Sequence, residues 1–181
     1  MQFLMLYSYK SCILNTNILP CKVFLMNEKW KEYLPEGGTW NLLTLIEDLS
    51  RKDKKVSLIL DLNRSVDYYN FEDFVSEYPE FKDIKYTKIP LDDKKVPSES
   101  AVREAHQLLD EYIDKEGVIV VHCVNGRNRT GYILISYLCK KFSISADEGM
   151  ELFNEARGHD IEHEVLIDHL RKTYPGVIDS R

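Results

Sequence analysis

Apolar residues recur along this chain in two rhythms. Short compact runs bounded by charged or turn residues predict strands: "PCKVFLM" (20–26), "KVSLILDL" (55–62), "IKYTKIPL" (84–91) and "VIVVHC" (118–123). Between these runs the apolar spacing lengthens to that of helices. Leu42, Leu45, Ile46 and Leu49 share one face of a helix predicted over "TWNLLTLIEDLSRK" (39–52). "NFEDFVSEY" (70–78) predicts a short helix stopped before Pro79. "PSESAVREAHQLLDEYIDKEG" (97–117) predicts a long one, with a serine cap near its start and Gly117 behind it. "TGYILISYLCKKF" (130–142) is apolar on most faces, as befits a central helix. Ser145 to Glu148, "SADE", is a capping box that opens the next helix, and a last one runs from about Glu162 to Thr173, before Pro175. Strands alternating with helices predict a single α/β domain whose central, mostly parallel sheet is flanked by helices.

Composition narrows the class of molecule. The 181 residues suffice for one domain with a sizeable core. Lys and Arg total 24 against 30 Asp and Glu, a net charge of −6, which argues against a protein that coats nucleic acid along its length. A local basic pocket for one phosphorylated end stays compatible with it. Cys12, Cys21, Cys123 and Cys139 form no C-x-x-C pair, so neither a disulfide framework nor a zinc ribbon is indicated, and a reducing compartment is expected. The first residues, "MQFLMLYSYKSCILNTNILP", are apolar but lack the basic n-region and long apolar core of a signal peptide. No run is long enough to predict a membrane span. His159, His163 and His169 lie close together without a zinc-type spacing.

The chemistry concentrates in "HCVNGRNRTG", residues 122–131, between the fourth apolar strand and the central helix. In open α/β sheets ligands bind beyond the carboxyl ends of the strands. Cys123 ends the strand, and the residues Val124, Asn125, Gly126, Arg127 and Asn128 must curl before the helix begins near Thr130. Such a curl turns backbone N–H groups inward at a positive helix end, which suits a phosphate-like anion. Gly126 relieves the curl sterically. The same positive field favours the thiolate of Cys123. Arg129 offers a planar fork for two phosphate oxygens, and Thr130 offers a hydroxyl to the sulfur. The whole is a nucleophile for phosphoryl transfer, needing no metal or other cofactor. A nucleotide P-loop is disfavoured because G-K-[ST] is absent.

This H-C-x5-R-[ST]-G string resembles the signature of the cysteine-dependent, dual-specificity-type phosphatases, which have a protein-tyrosine-phosphatase-like fold. "NRTGY", "LFNEARGHDIE", "LILDLNRSVDYYNFED" and "CKVFL" narrow the resemblance to the RNA 5′-phosphatase branch, which includes the triphosphatase domain of metazoan mRNA capping enzymes and the baculovirus phosphatase. The likeness spans roughly residues 19 to 172. It implies a catalytic domain over 19–175, an atypical N-terminal segment over 1–18 and a tail over 176–181. It implies removal of the γ- and then the β-phosphate from RNA 5′ ends, with Cys123 as nucleophile, Arg129 as phosphate clamp and Arg157 as a second basic ligand for the phosphate chain; a dual-specificity phosphoprotein phosphatase and a phosphate-end-binding module with weak turnover are the alternatives. Taken alone, Arg157 reads equally as a helix-capping or salt-bridge residue; Asp61 and Asn63 are candidate supports of the pocket wall, with a purely structural role the favoured alternative for Asp61 at its strand end. The implied partners are 5′-phosphorylated RNA ends, with phosphoproteins and RNA-processing complexes as further candidates. A monomer without membrane attachment, in the nucleus or cytoplasm, is expected.

The chain departs from the branch pattern at several points. C-V-N-G replaces C-T-H-G, so Asn125 stands where the branch has histidine. Arg127 occupies a position that is usually apolar, either meeting a polyanion or standing as a surface charge. "EHEVL" replaces "ERQNY", and the usual segment before "CKVFL" is missing. In "IPLDDKKVPSES" the aspartates Asp92 and Asp93 resemble the loop that carries a general acid in protein-directed dual-specificity phosphatases. Asp93 is thus a candidate acid for a departing tyrosine or serine oxygen, with a solvated acidic turn as the alternative.

Overall fold

The computed structural model describes residues 8–27, 30, 40–64 and 68–176. Four strands, β1 (Ile18–Lys22), β2 (Val56–Asp61), β3 (Lys85–Lys88) and β4 (Val118–Cys123), form an all-parallel sheet in the order β1-β4-β2-β3. The helices include α1 (Leu42–Ser50), α2 (Phe71–Glu77), α3 (Glu99–Tyr112), α4 (Asn128–Phe142), α5 (Ala146–Arg157) and α6 (Glu164–Thr173), with a 3-10 turn at Pro79–Phe81.

Both sheet faces are buried, as the continuous apolar strands require. Leu58, Leu60, Ile119 and Val121 face one layer with Ile133, Leu134 and Leu138 of α4, Phe153 of α5 and Leu166 of α6. Leu19, Cys21, Ile59 and Val120 face the other, against Trp40, Leu42, Leu45 and Leu49. Helix α4 is buried without interruption from Thr130 to Cys139, so the all-round apolar helix is the central one. The capping box at Ser145 and Glu148 is present.

Register levels the ends that matter. Lys22 pairs with Cys123, Cys21 with His122, and His122 with Asp61. Three strand ends therefore open on one site.

Some boundaries differ from the sequence pattern. The first strand is Ile18–Lys22 rather than 20–26. Its partner β4 ends at Cys123, so Val23 leaves the sheet and donates instead to the Val124 carbonyl at 3.1 Å. Pro20 is tolerated because, among the described residues, β1 is an edge strand that pairs only with β4. The predicted helix over 97–117 ends at Tyr112, and residues 113–117 turn into β4. Residues 8–17, read as lying outside the domain, pack on it. Tyr9 and Ile13 are buried, the Ser11 N–H bonds the Ala156 carbonyl, and the Tyr9 hydroxyl bonds Asp48. The rest of the atypical segment, residues 1–7, and residues 177–181 of the tail lie outside the described residues.

Candidate active site

Cys123 is the last residue of β4, and α4 starts at Asn128, two residues earlier than its apolar pattern suggests. The loop between them is tight. Gly126 has φ 61°, and a Cβ there would lie 2.0 Å from the Cys21 carbonyl oxygen. Only glycine allows both the left-handed backbone and this approach to β1.

The loop is braced from behind. Arg157, at the end of α5, is 1% exposed. Its Nε donates to the Gly126 carbonyl at 3.0 Å and its Nη2 to the Asn125 carbonyl at 2.9 Å. Burial lowers its pKa below the ordinary arginine value, yet a guanidinium stays charged. Holding these carbonyls outward leaves the loop N–H groups to the anion side. Arg157 was expected as a ligand of the phosphate chain. The structure instead turns these donors to the loop's own carbonyls.

Other side chains named from sequence separate in a similar way. Arg129 lies at the pocket, 11% exposed, with its Nε 4.0 Å from Asp93 Oδ1 and its Nη1 3.5 Å from the Leu91 carbonyl. Asp92 is taken up by Arg64 at 2.8 Å and Lys95 at 3.4 Å, so of the two aspartates only Asp93 faces the clamp. Thr130 is buried, and its hydroxyl makes no hydrogen bond among the described residues, to Cys123 or to anything else. Asn128, expected at the substrate, accepts instead from the Glu162 and His163 N–H groups at 2.8 and 3.0 Å. Arg127 reaches the same segment: Nη1 donates to Glu162 at 2.5 Å and Nη2 to His159 Nδ1 at 3.2 Å. Val124 is half-buried and Asn125 exposed on the loop. The three clustered histidines part company, His169 bonding the Tyr132 hydroxyl.

Beneath the nucleophile lies a buried polar network. His122 is fully buried between the Tyr69 hydroxyl, 2.7 Å from Nε2, and Asn63, 3.4 Å from Nδ1. Burial lowers the His122 pKa, so the ring is neutral at neutral pH despite Asp61 at 3.7 Å. Burial also works against the Asp61 carboxylate. His122, Lys88 at 2.8 Å and the Asn63 N–H at 2.8 Å nevertheless hold its pKa below the usual value, and Tyr86 adds a bond at 2.9 Å. With His122 neutral, Lys88, Tyr86 and the Asn63 N–H carry that anion. Asp61 and Asn63 thus lie in the buried network under the nucleophile.

Sequence reasoning missed Lys22 and Tyr69, and gave His159 and Glu162 no role at the loop. Lys22 stands level with Cys123, half-buried, and has no carboxylate partner among the described residues. Burial and then the charge of Arg157 lower its pKa. A lone lysine inside the apolar run "PCKVFLM" was the signal available for it. For Glu162 there was none, because its contact with Arg127 joins residues far apart in the chain.

Elsewhere, a groove of about 920 Å³ between α5 and α6 is lined by Asp147, Glu151, Glu155, Asp160 and Glu164. Its charge repels phosphate, so the cationic loop is the candidate site.

A family model described as dual specificity phosphatase, catalytic domain, matches residues 44–174. RNA/RNP complex-1-interacting phosphatase of Rattus norvegicus is 30% identical over 175 residues, covering 80% of this chain and 52% of that protein. The chain thus spans about half the length of that relative and of its mammalian counterparts. The tyrosine-protein phosphatase of Autographa californica nuclear polyhedrosis virus is 29% identical over 169 residues, 91% of this chain and 95% of the viral protein. Among solved structures, kinase associated phosphatase with its catalytic-site cysteine changed to serine superposes with a TM-score of 0.63 at 14% identity, covering 92% of each chain. PTPMT1 in complex with PI(5)P gives 0.62 at 18% identity, covering 91% of this chain and 92% of that one. These superpositions speak to the fold.

Proposed function

Because this chain belongs to the dual specificity phosphatase family, whose catalytic-domain model matches residues 44–174, and is a cysteine-dependent phosphatase, we propose that it removes terminal phosphates from 5′-tri- or diphosphorylated RNA. The Cys123 thiolate attacks the terminal phosphorus. An S–P bond forms and the P–O bond to the next phosphate breaks, leaving RNA one phosphate shorter. Water then attacks the phosphocysteine, the S–P bond breaks, and orthophosphate leaves with the thiolate restored. Loop N–H groups and Arg129 stabilise the charge spread over the equatorial oxygens. A polyphosphate is already a good leaving group, so the first step needs little help from an acid.

The observation that carries the RNA reading is Lys22. It is a half-buried ammonium level with the nucleophile, with no carboxylate partner among the described residues, in a chain of net charge −6. Burying such a charge is costly unless an anion joins it. A single phosphate in the loop is already served by Arg129, so a further cation beside it fits a substrate with more than one phosphate. The names of the mammalian relatives lend the same reading support.

A phosphoprotein substrate is the second reading, favoured by Asp93, which lies within ion-pair reach of Arg129 and would serve as the acid for a departing tyrosine oxygen. The decisive test compares turnover of 5′-triphosphorylated RNA and of a phosphotyrosine peptide, each with chelator present. The RNA reading expects the higher kcat/KM on RNA and no loss with chelator. A peptide preference, or a strict metal requirement, would overturn it.

A further inference from the structure

We propose that Glu162 sets the phosphate-chain preference of the pocket by neutralising Arg127, so that a polyphosphate must displace it while a monophosphate need not. The inference rests on the polyphosphate reading of the site and adds a specificity-determining residue to it.

Arg127 stands where the chain leaves its branch's pattern, and Glu162, which opens "EHEVL" and is shared with the branch's "ERQNY", meets it in space. Arg127 Nη1 donates to Glu162 Oε1 at 2.5 Å, while Nη2 is held by His159 Nδ1 at 3.2 Å. His159 takes that donor as a neutral ring, since burial and the charges of Arg157 and Arg127 lower its pKa. The pair contributes little to the fold, because Glu162 is 55% and Arg127 31% exposed, and exposed pairs are weak. Nor does the carboxylate hold its segment in place. The Glu162 and His163 backbone N–H groups do that, through Asn128 Oδ1. The wall is therefore fixed without the Glu162 side chain, and the side chain's remaining effect is electrostatic.

That effect separates the rim cations. Lys22 has no carboxylate partner among the described residues, whereas Arg127 carries one. A phosphate seated in the loop is met by backbone N–H groups and Arg129. The second and third phosphates of a chain extend to the rim, where Glu162 both occupies Arg127 and repels them. Glu162 thus restrains a polyphosphate contact that Arg127 would otherwise make in full.

The test uses inhibition of aryl-phosphate hydrolysis by inorganic tripolyphosphate and by orthophosphate. Glu162→Gln is expected to strengthen tripolyphosphate inhibition by about three-fold, the scale of one exposed charge pair, and to leave orthophosphate inhibition unchanged. The shift is expected to shrink in high salt and to vanish when Arg127→Met is also present. No change, an equal change for both anions, or a shift that survives Arg127→Met would overturn the proposal. Wild-type turnover of triphosphorylated RNA is read separately. If RNA is not a substrate but the tripolyphosphate shift appears, the RNA reading falls and the role of Glu162 stands.

Discussion

Cys123 is expected to be irreplaceable. Cys123→Ser should abolish turnover while phosphate still protects the loop from proteolysis, because among the described residues no base stands beside it to activate a hydroxyl. Residual turnover in a clean preparation would refute the covalent route. Asp93 separates the two substrate readings. Asp93→Asn should lower phosphotyrosine turnover by ~100-fold or more if it is the acid, and RNA turnover only slightly. Equal losses would assign it to holding Arg129, its neighbour at 4.0 Å. From its contacts with the loop carbonyls we propose Arg157 as a brace of the loop rather than a ligand of the phosphate chain. Its Nε and Nη2 serve the Gly126 and Asn125 carbonyls, so Arg157→Ala should cost roughly ten-fold or more on aryl phosphate and RNA alike. Arg157→Lys should recover little, since one ammonium cannot reproduce the fork. A loss confined to RNA would return Arg157 to the role of a substrate ligand.

At the scale of elements, the site is where three strand ends, one loop and one helix end meet. β4 delivers Cys123, β1 ends beside it, and α5 ends in the guanidinium that braces the loop. The loop has no slack against β1. Gly126→Ala would put a methyl 2.0 Å from the Cys21 carbonyl, on a backbone at φ 61°. That contact is with backbone, so the loop must move. The expected result is a fall in kcat of ~100-fold with the helical circular dichroism retained, since a small displacement of the reacting groups suffices for such a loss. Unchanged kcat would mean that the loop geometry is not what organises the nucleophile.

For the whole molecule the relevant balance is between an acidic body and a cationic mouth, and between buried histidines and pH. His106 and His122 both have pKa values lowered from 6.5, by burial first, with Asp110 and Asp61 respectively pulling the other way. A histidine kept neutral by the fold contributes stability that is complete above its unfolded pKa. Below it the unfolded chain binds more protons, and the contribution is lost as pH falls towards and through the folded pKa. The thermal midpoint is therefore expected to fall between about pH 7.5 and about pH 5, with the decline starting near the unfolded histidine pKa. His106→Gln, which keeps a donor for the Ile133 carbonyl or Ser136, should flatten that slope. A midpoint independent of pH across this window would show that the histidines do not control it.

Periodicity alone determined the alternation of strands and helices, the central helix α4 and the capping box of α5, because apolar spacing records which faces are buried. The string from His122 to Gly131 likewise marked the site, since a strand, a tight curl and a helix start are contiguous in sequence. Tertiary structure decided what contiguity cannot. The end of β1 was set by where β4 stops, which moved the strand from 20–26 to Ile18–Lys22. Residues 8–17 joined the body because Ala156 and Asp48 offered them partners. Arg157 became a brace and Glu162 a partner of Arg127 across 31 and 35 residues of separation. Those roles depend on which donors and carbonyls the fold brings within hydrogen-bond reach, and a one-dimensional pattern holds no record of such distances.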